Sequence, residues 1–184
     1  MTQHEELVEL LAIRSARLGE FTLASGGRSN LYIDARMTAM SPDGLALIGP
    51  LGIATLADGG WNPDSVGGLT LGADPVSYAI AYASALAGAP IRAFTVRKEA
   101  KVHGTGKLIE GPFLPSDSVV VIEDVITSGG SALKAIDAIR SAGATVIGVL
   151  SLVDREEGGR ERIEGSGYAV RSLALASEII ARMH

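Results

Sequence analysis

The chain has 184 residues, enough for one domain with a full core, and its 47% hydrophobic content leans on alanine, with only 4% aromatics. The absence of cysteine excludes a disulfide framework and a thiolate metal site, and the three histidines (His4, His103, His184) are too scattered to form a metal cluster. A formal net charge of -5 argues against a broad nucleic-acid face.

The start, Met1 to Glu6, carries no basic stretch leading into an apolar run, so no secretory signal is expected. Uncharged Pro75–Ile91 contains Ser77, Tyr78, Tyr82 and Ser84 and reads as a packed helix rather than a membrane span. A cytoplasmic protein is the expectation.

Glu5 to Leu18 places Leu7, Leu10, Leu11 and Leu18 at helical intervals, with Gly19 as its stop. Phe21 to Asp34 reads as a hairpin around Ser25-Gly26-Gly27-Arg28-Ser29-Asn30. Pro42 to Leu56 reads as a helix that Gly49-Pro50 must bend or interrupt. From Ser65 onward short apolar runs alternate with helical segments. Ser65–Gly68 is a strand, Leu69–Asp74 a loop, and Pro75–Leu86 a helix stopped by Gly88-Ala89-Pro90. Ile91–Val96 is a strand, followed by a charged loop to about Gly111. Val119–Ile122 is a strand, Ser131–Ser141 a helix, Thr145–Val153 a strand and Tyr168–Leu175 a last strand before a short terminal helix.

This alternation predicts an α/β fold, a mostly parallel sheet with helices on its faces. Such sheets bind ligands outside the carboxyl ends of their strands. Leu69–Asp74, Arg97–His103, Glu123–Ser131 and Asp154–Arg155 all sit at such ends, so these distant segments are expected to meet on one edge.

The segment from Val119 to Ser131 carries the clearest chemistry. Four apolar residues run into Glu123-Asp124, then into Thr127-Ser128-Gly129-Gly130-Ser131 and a helical segment. A helix N-terminus with glycine and hydroxyl residues suits a phosphate, and the acid pair can accept hydrogen bonds from ribose hydroxyls. A plain strand–turn–helix connection with acidic capping is the bland alternative. No Gly-x-Gly-x-x-Gly occurs, and Gly106-Lys107 lacks the upstream glycine of a Walker loop. Arg97-Lys98-Glu99-Ala100-Lys101-Val102-His103-Gly104 is either a solvated surface loop or a lid whose cations close on a diphosphate. Arg155, after a predicted strand, is a natural bidentate partner for a ligand carboxylate.

The acid pair and the turn after it resemble the 5-phosphoribosyl diphosphate (PRPP) signature of the type I phosphoribosyltransferases. The string Arg97-Lys98-x-x-Lys101-x-His103-Gly104 resembles the catalytic loop of the orotate phosphoribosyltransferase family within them. Asp154-Arg155-x-x-Gly158-Gly159 resembles that family's orotate-binding element, and Phe21–Asp34 its N-terminal hood. The likeness spans Phe21 to Gly159 in five segments. It implies one domain over residues 1–184, with residues 1–40 forming an N-terminal helix and base-covering hood.

It further implies that Lys98, Lys101, His103, Arg97 and Asp124 are catalytic. Glu123 and Asp124 would hold the ribose, and Thr127, Ser128, Gly129, Gly130 and Ser131 the 5′-phosphate. Leu71, Gly72, Arg97, Lys98, Lys101 and His103 would bind the diphosphate. Thr127, Arg155 and Tyr32 would bind orotate. Mg2+ is implied as cofactor, held chiefly by substrate oxygens and water, with no protein metal site. A homodimer is implied, the Arg97–Gly111 loop reaching the neighbouring subunit's site. Orotate and PRPP would be the ligands, with no nucleic acid and no membrane. Two departures stand out: Ala24 occupies a place where many members carry lysine, and the 69–75 loop lacks the lysine some members have there. A transferase for another base, or a non-catalytic PRPP-sensing regulator, would share part of this pattern.

Overall fold

The computed structural model describes residues 1–22, 28–99 and 107–183. Six strands form the central sheet: β3 (Ser65–Leu69), β4 (Arg92–Val96), β5 (Ile109–Glu110), β6 (Ser118–Ile126), β7 (Thr145–Asp154) and β8 (Val170–Leu175), in the spatial order β5-β4-β3-β6-β7-β8. All neighbours are parallel except β4 and β5. A separate antiparallel pair, β1 (Ala16–Thr22) and β2 (Arg28–Ile33), lies before it in the chain. The helices are α1 (Gln3–Leu10), α2 (Arg36–Ala39), α3 (Pro42–Asp58), α4 (Ala73–Leu86), α5 (Gly130–Ser141), α6 (Gly159–Gly165) and α7 (Ala176–Ile180). No helix among the described residues is long and apolar enough to cross a membrane.

The uninterrupted apolar run of β6 has a direct cause: the strand is buried on both faces. Val120 and Ile122 join one cluster with Leu7, Ile48, Ile80 and Leu150, from the α1, α3 and α4 side. Val119 and Val121 join the other with Ala132, Ile136 and Ile139 of α5.

Several expected boundaries are corrected. The first helix does not run to Leu18 with Gly19 as its stop. It passes through a π-helical turn at Leu11–Ser15 and gives way to β1 at Ala16, so Gly19 lies inside a strand. Leu18 fits a helical interval, but pairing with Leu31 of β2 overrides that local preference. Gly49-Pro50 does not interrupt α3, which runs continuously over 17 residues. Pro50 faces solvent. Gly49 and Gly52 are spacers for α4: a Cβ would meet the Ala79 carbonyl oxygen at 2.6 Å and Ile80 at 2.6 Å respectively.

Helix α4 starts at Ala73 rather than Pro75, which places Asp74 in its first turn. Strand β6 continues past Ile122 through Glu123 and Asp124, because β7 pairs with it as far as Ile126↔Asp154. Strand β5 and helix α6 are absent from the sequence reading. The first is two residues long, and the second buries only Gly159 and Ile163.

Candidate active site

The strand ends do converge. A cleft of about 300 Å³ is lined by Tyr32 of β2, Leu69–Gly72, Lys98, Glu123, Asp124, Thr127, Ser131 and Arg155, together with Ile33–Arg36 and Val125. These residues come from five separate stretches of chain, and four of them lie at carboxyl ends of sheet strands, as the parallel topology requires.

On the floor, Glu123 is 6% exposed and Asp124 half-buried. Burial pushes the Glu123 carboxyl well above its ordinary value, and the neighbouring Asp124 charge pushes it the same way. Asp124 Oδ1 accepts from the Val125 N–H at 2.9 Å. Across from it stands Gly72, where a Cβ would lie 2.2 Å from Asp124 Oδ2. A side chain at 72 would push the Asp124 carboxylate aside, a physical reason for glycine at this place in the loop. The peptide between Thr70 and Leu71 is cis.

The turn after β6 is shaped by Gly129 (φ +72), which precedes α5 with no side-chain cap on the helix. The first-turn N–H groups of α5 are thereby left to an outside acceptor. Thr127 and Ser131 line the cleft, whereas Ser128, Gly129 and Gly130 build the turn without appearing in its wall. Arg162 braces this turn from α6, donating through Nη1 to the Ser128 carbonyl oxygen at 3.1 Å.

Arg155 is buried, with Nη2 donating to Ser29 Oγ (2.9 Å), the Leu31 carbonyl oxygen (2.9 Å) and Glu157 Oε1 (2.7 Å). It thus ties the β1–β2 hairpin to the sheet edge. Its Nε is buried with no hydrogen-bond partner among the described residues. Tyr32 stacks obliquely on Phe21, with ring centroids 5.4 Å apart.

Of the expected lid cations, Lys98 lines the cleft. Arg97 lines the grooves beside it, 3.8 Å from Glu110, and its Nε is buried without a hydrogen-bond partner among the described residues. Lys101 and His103 lie outside the described residues. Sequence reasoning missed Asp34 and Arg36. Arg36 donates to both oxygens of Asp34, at 2.8 and 3.0 Å, and this bond holds the Asp34 carboxyl below its ordinary value. The Asp-x-Arg spacing directly after the hairpin was the available signal. Ser29 and Glu157, the partners of Arg155, were also missed.

The match to a family model, the phosphoribosyl transferase domain, covers residues 53–179. Orotate phosphoribosyltransferase of Aquifex aeolicus is 46% identical over 98% of this chain and 99% of its own length. The chain belongs to the orotate phosphoribosyltransferase family. Two solved members of that family share the fold. The Mycobacterium tuberculosis H37Rv orotate phosphoribosyltransferase in complex with PRPP is 40% identical with a TM-score of 0.82, covering 97% of this chain and 99% of that one. The Aeropyrum pernix orotate phosphoribosyltransferase is 31% identical with a TM-score of 0.80, covering 96% and 97%. This orotate phosphoribosyltransferase family member brings Glu123, Asp124, Thr127, Ser131 and Arg155 into one cleft.

Proposed function

We propose that the cleft transfers the 5-phosphoribosyl group of PRPP to orotate, giving orotidine 5′-monophosphate and diphosphate, a step of pyrimidine biosynthesis. The observation that carries this is Arg155 sharing one cavity with Glu123, Asp124 and Thr127. A transferase for purines or uracil has no ligand carboxylate to bind at Arg155.

Breaking the anomeric C–O bond leaves positive character on the ribose and negative charge on the departing diphosphate. Glu123 and Asp124 accept hydrogen bonds from the ribose hydroxyls and so oppose the first. A hydroxyl donating to Glu123 also favours its charged form, against the burial that raises its pKa in the free protein. Lys98, with Arg97, Lys101 and His103, offsets the second. The N–H groups of Leu71 and Gly72 face the same diphosphate. Ser128, Gly129, Gly130 and Ser131 hold the 5′-phosphate at the start of α5. Orotate N1 attacks from the opposite face, so no covalent nucleophile is needed, and the work is electrostatic preorganisation and positioning. Arg155 and Thr127 hold the orotate carboxylate, and Tyr32 in the 1–40 hood covers the ring. The orphaned Nε of Arg155 is a donor that a ligand carboxylate completes.

Among the described residues no cluster of three His, Asp or Glu side chains forms a cation cage. Mg2+ carried by PRPP oxygens and water suits such a donor set, with Asp124 and Glu123 nearby, because Mg2+ keeps much of its own shell. When bound it supplies neutralisation of the diphosphate charge.

A homodimer completes this reading. Tyr78, Tyr82 and Leu86 form an exposed stripe at i, i+4 and i+8 on α4, and Leu71 in the cleft wall is also exposed. By the family likeness, the 97–111 loop of a second copy would then serve this cleft. Mixing orotate, Mg2+ and PRPP, with adenine, hypoxanthine and uracil as rival acceptors, tests the reaction. Diphosphate release with orotate alone supports it, and release only with another base refutes the acceptor assignment.

A further inference from the structure

Asp74 is 8% exposed in the first turn of α4 and does not line the cleft. Its two oxygens are nevertheless claimed by two different cleft-forming elements. Thr70 Oγ1, from the loop after β3, donates to Oδ2 at 2.7 Å. Thr95 Oγ1, near the end of β4, donates to Oδ1 at 2.8 Å. Tyr78 Oη lies 2.9 Å from Thr95 Oγ1. Since that hydroxyl already gives its proton to Asp74, Tyr78 is the donor in this pair.

The result is one chain of hydrogen bonds, Tyr78 to Thr95 to Asp74, met from the other side by Thr70. At one end it fixes the residue preceding Leu71 and Gly72. At the other it fixes β4 two residues before Arg97 and three before Lys98. We propose that Asp74 is a positioning residue for diphosphate: it locks the 70–72 loop and the root of the Arg97-Lys98 segment into one fixed spacing. This rests on the transferase reading above. The physical reason is that both segments contribute to the same polyanion site, so a drift of either degrades several contacts at once. A carboxylate accepting two hydroxyls at the start of a helix is a strong anchor for such a joint.

The test is calorimetric binding of inorganic diphosphate with Mg2+, and separately of orotate, to the wild type and Asp74→Asn. An amide puts an N–H where one carboxylate oxygen stood, so one threonine hydroxyl must turn from donor to acceptor and both bonds lose their charge assistance. Diphosphate affinity is expected to fall about five- to tenfold, with orotate affinity changing less than about twofold, the scale of one lost charge-assisted hydrogen bond. Adding Thr95→Val to Asp74→Asn is expected to cost nothing more. Should Asp74→Asn not fold, Thr95→Val alone carries the test, since its side chain lies outside the main cleft. Wild-type diphosphate affinity in the folded variant, or equal losses for both ligands, overturns the assignment. A wild-type protein that binds no diphosphate overturns the transferase reading as well, which separates the two failures.

Discussion

Gly72→Ala isolates one contact in the cleft. The backbone at Gly72 has φ -63 and ψ -45, which alanine adopts without strain. The whole effect therefore falls on what the new methyl meets. It would lie 2.2 Å from Asp124 Oδ2 and 2.6 Å from Oδ1, both well inside the 3.4 Å where ordinary contact begins. Asp124 is half-buried at the end of a strand, so its side chain can turn aside. Doing so costs about 0.5–1.5 kcal/mol in an off-rotamer conformation. Stability should fall by no more than that, or a few degrees in Tm. Catalysis should suffer more, because a misplacement of about 1 Å commonly costs ~100-fold, equivalent to about 2.7 kcal/mol of barrier. Steady-state orotidine monophosphate formation should show kcat/KM for PRPP down by that order. Circular-dichroism melting would check that the fold survives. A folded Gly72→Ala protein with wild-type kcat/KM would refute the idea that Asp124 must stand where it does.

Three further outcomes are expected. Because Glu123 binds its proton more tightly folded than unfolded, the wild type should lose stability as pH rises above the ordinary carboxyl value of 4.5. Glu123→Gln should remove that loss, and urea denaturation from pH 4 to 8 showing parallel curves would contradict it. Arg155→Ala should weaken orotate binding while leaving PRPP binding largely intact, whereas Glu157→Gln should tighten orotate about two- to fivefold by removing a competing carboxylate; calorimetry with each ligand checks both. For Asp117, burial raises the pKa, but donors from Arg92, the Leu114 N–H and Ser65 outweigh it and the net direction is down. Its stabilisation is thus present above the ordinary aspartate pKa and lost as pH falls through the lowered folded value. Asp117→Asn should cost about 1–2 kcal/mol near neutrality, measured by urea denaturation, because Asp117 is buried but the guanidinium it leaves behind is partly hydrated.

Residue pattern alone was enough for the α/β class and for which strand ends meet in one cleft. A short β-branched apolar run between turn signals suits a strand covered on both faces, and helices between successive strands favour parallel pairing. Parallel pairing in turn sends every strand's carboxyl end to one edge. That is why Leu71, Gly72, Lys98, Asp124, Thr127 and Arg155 could be placed together before any coordinates, although they span more than eighty positions. Tertiary structure decided what local pattern cannot encode. Leu18 fits a helix by interval and is a strand residue by pairing with Leu31. Gly49 reads as a breaker and is a spacer against Ala79. Arg155 reads as a partner for a ligand carboxylate and is also held by Ser29, Leu31 and Glu157. Asp74 reads as one more loop residue and joins two segments of the cleft. In each case the deciding partner is a particular atom brought close by folding. Periodicity and motif record a residue's own preferences, and these atoms belong to something else.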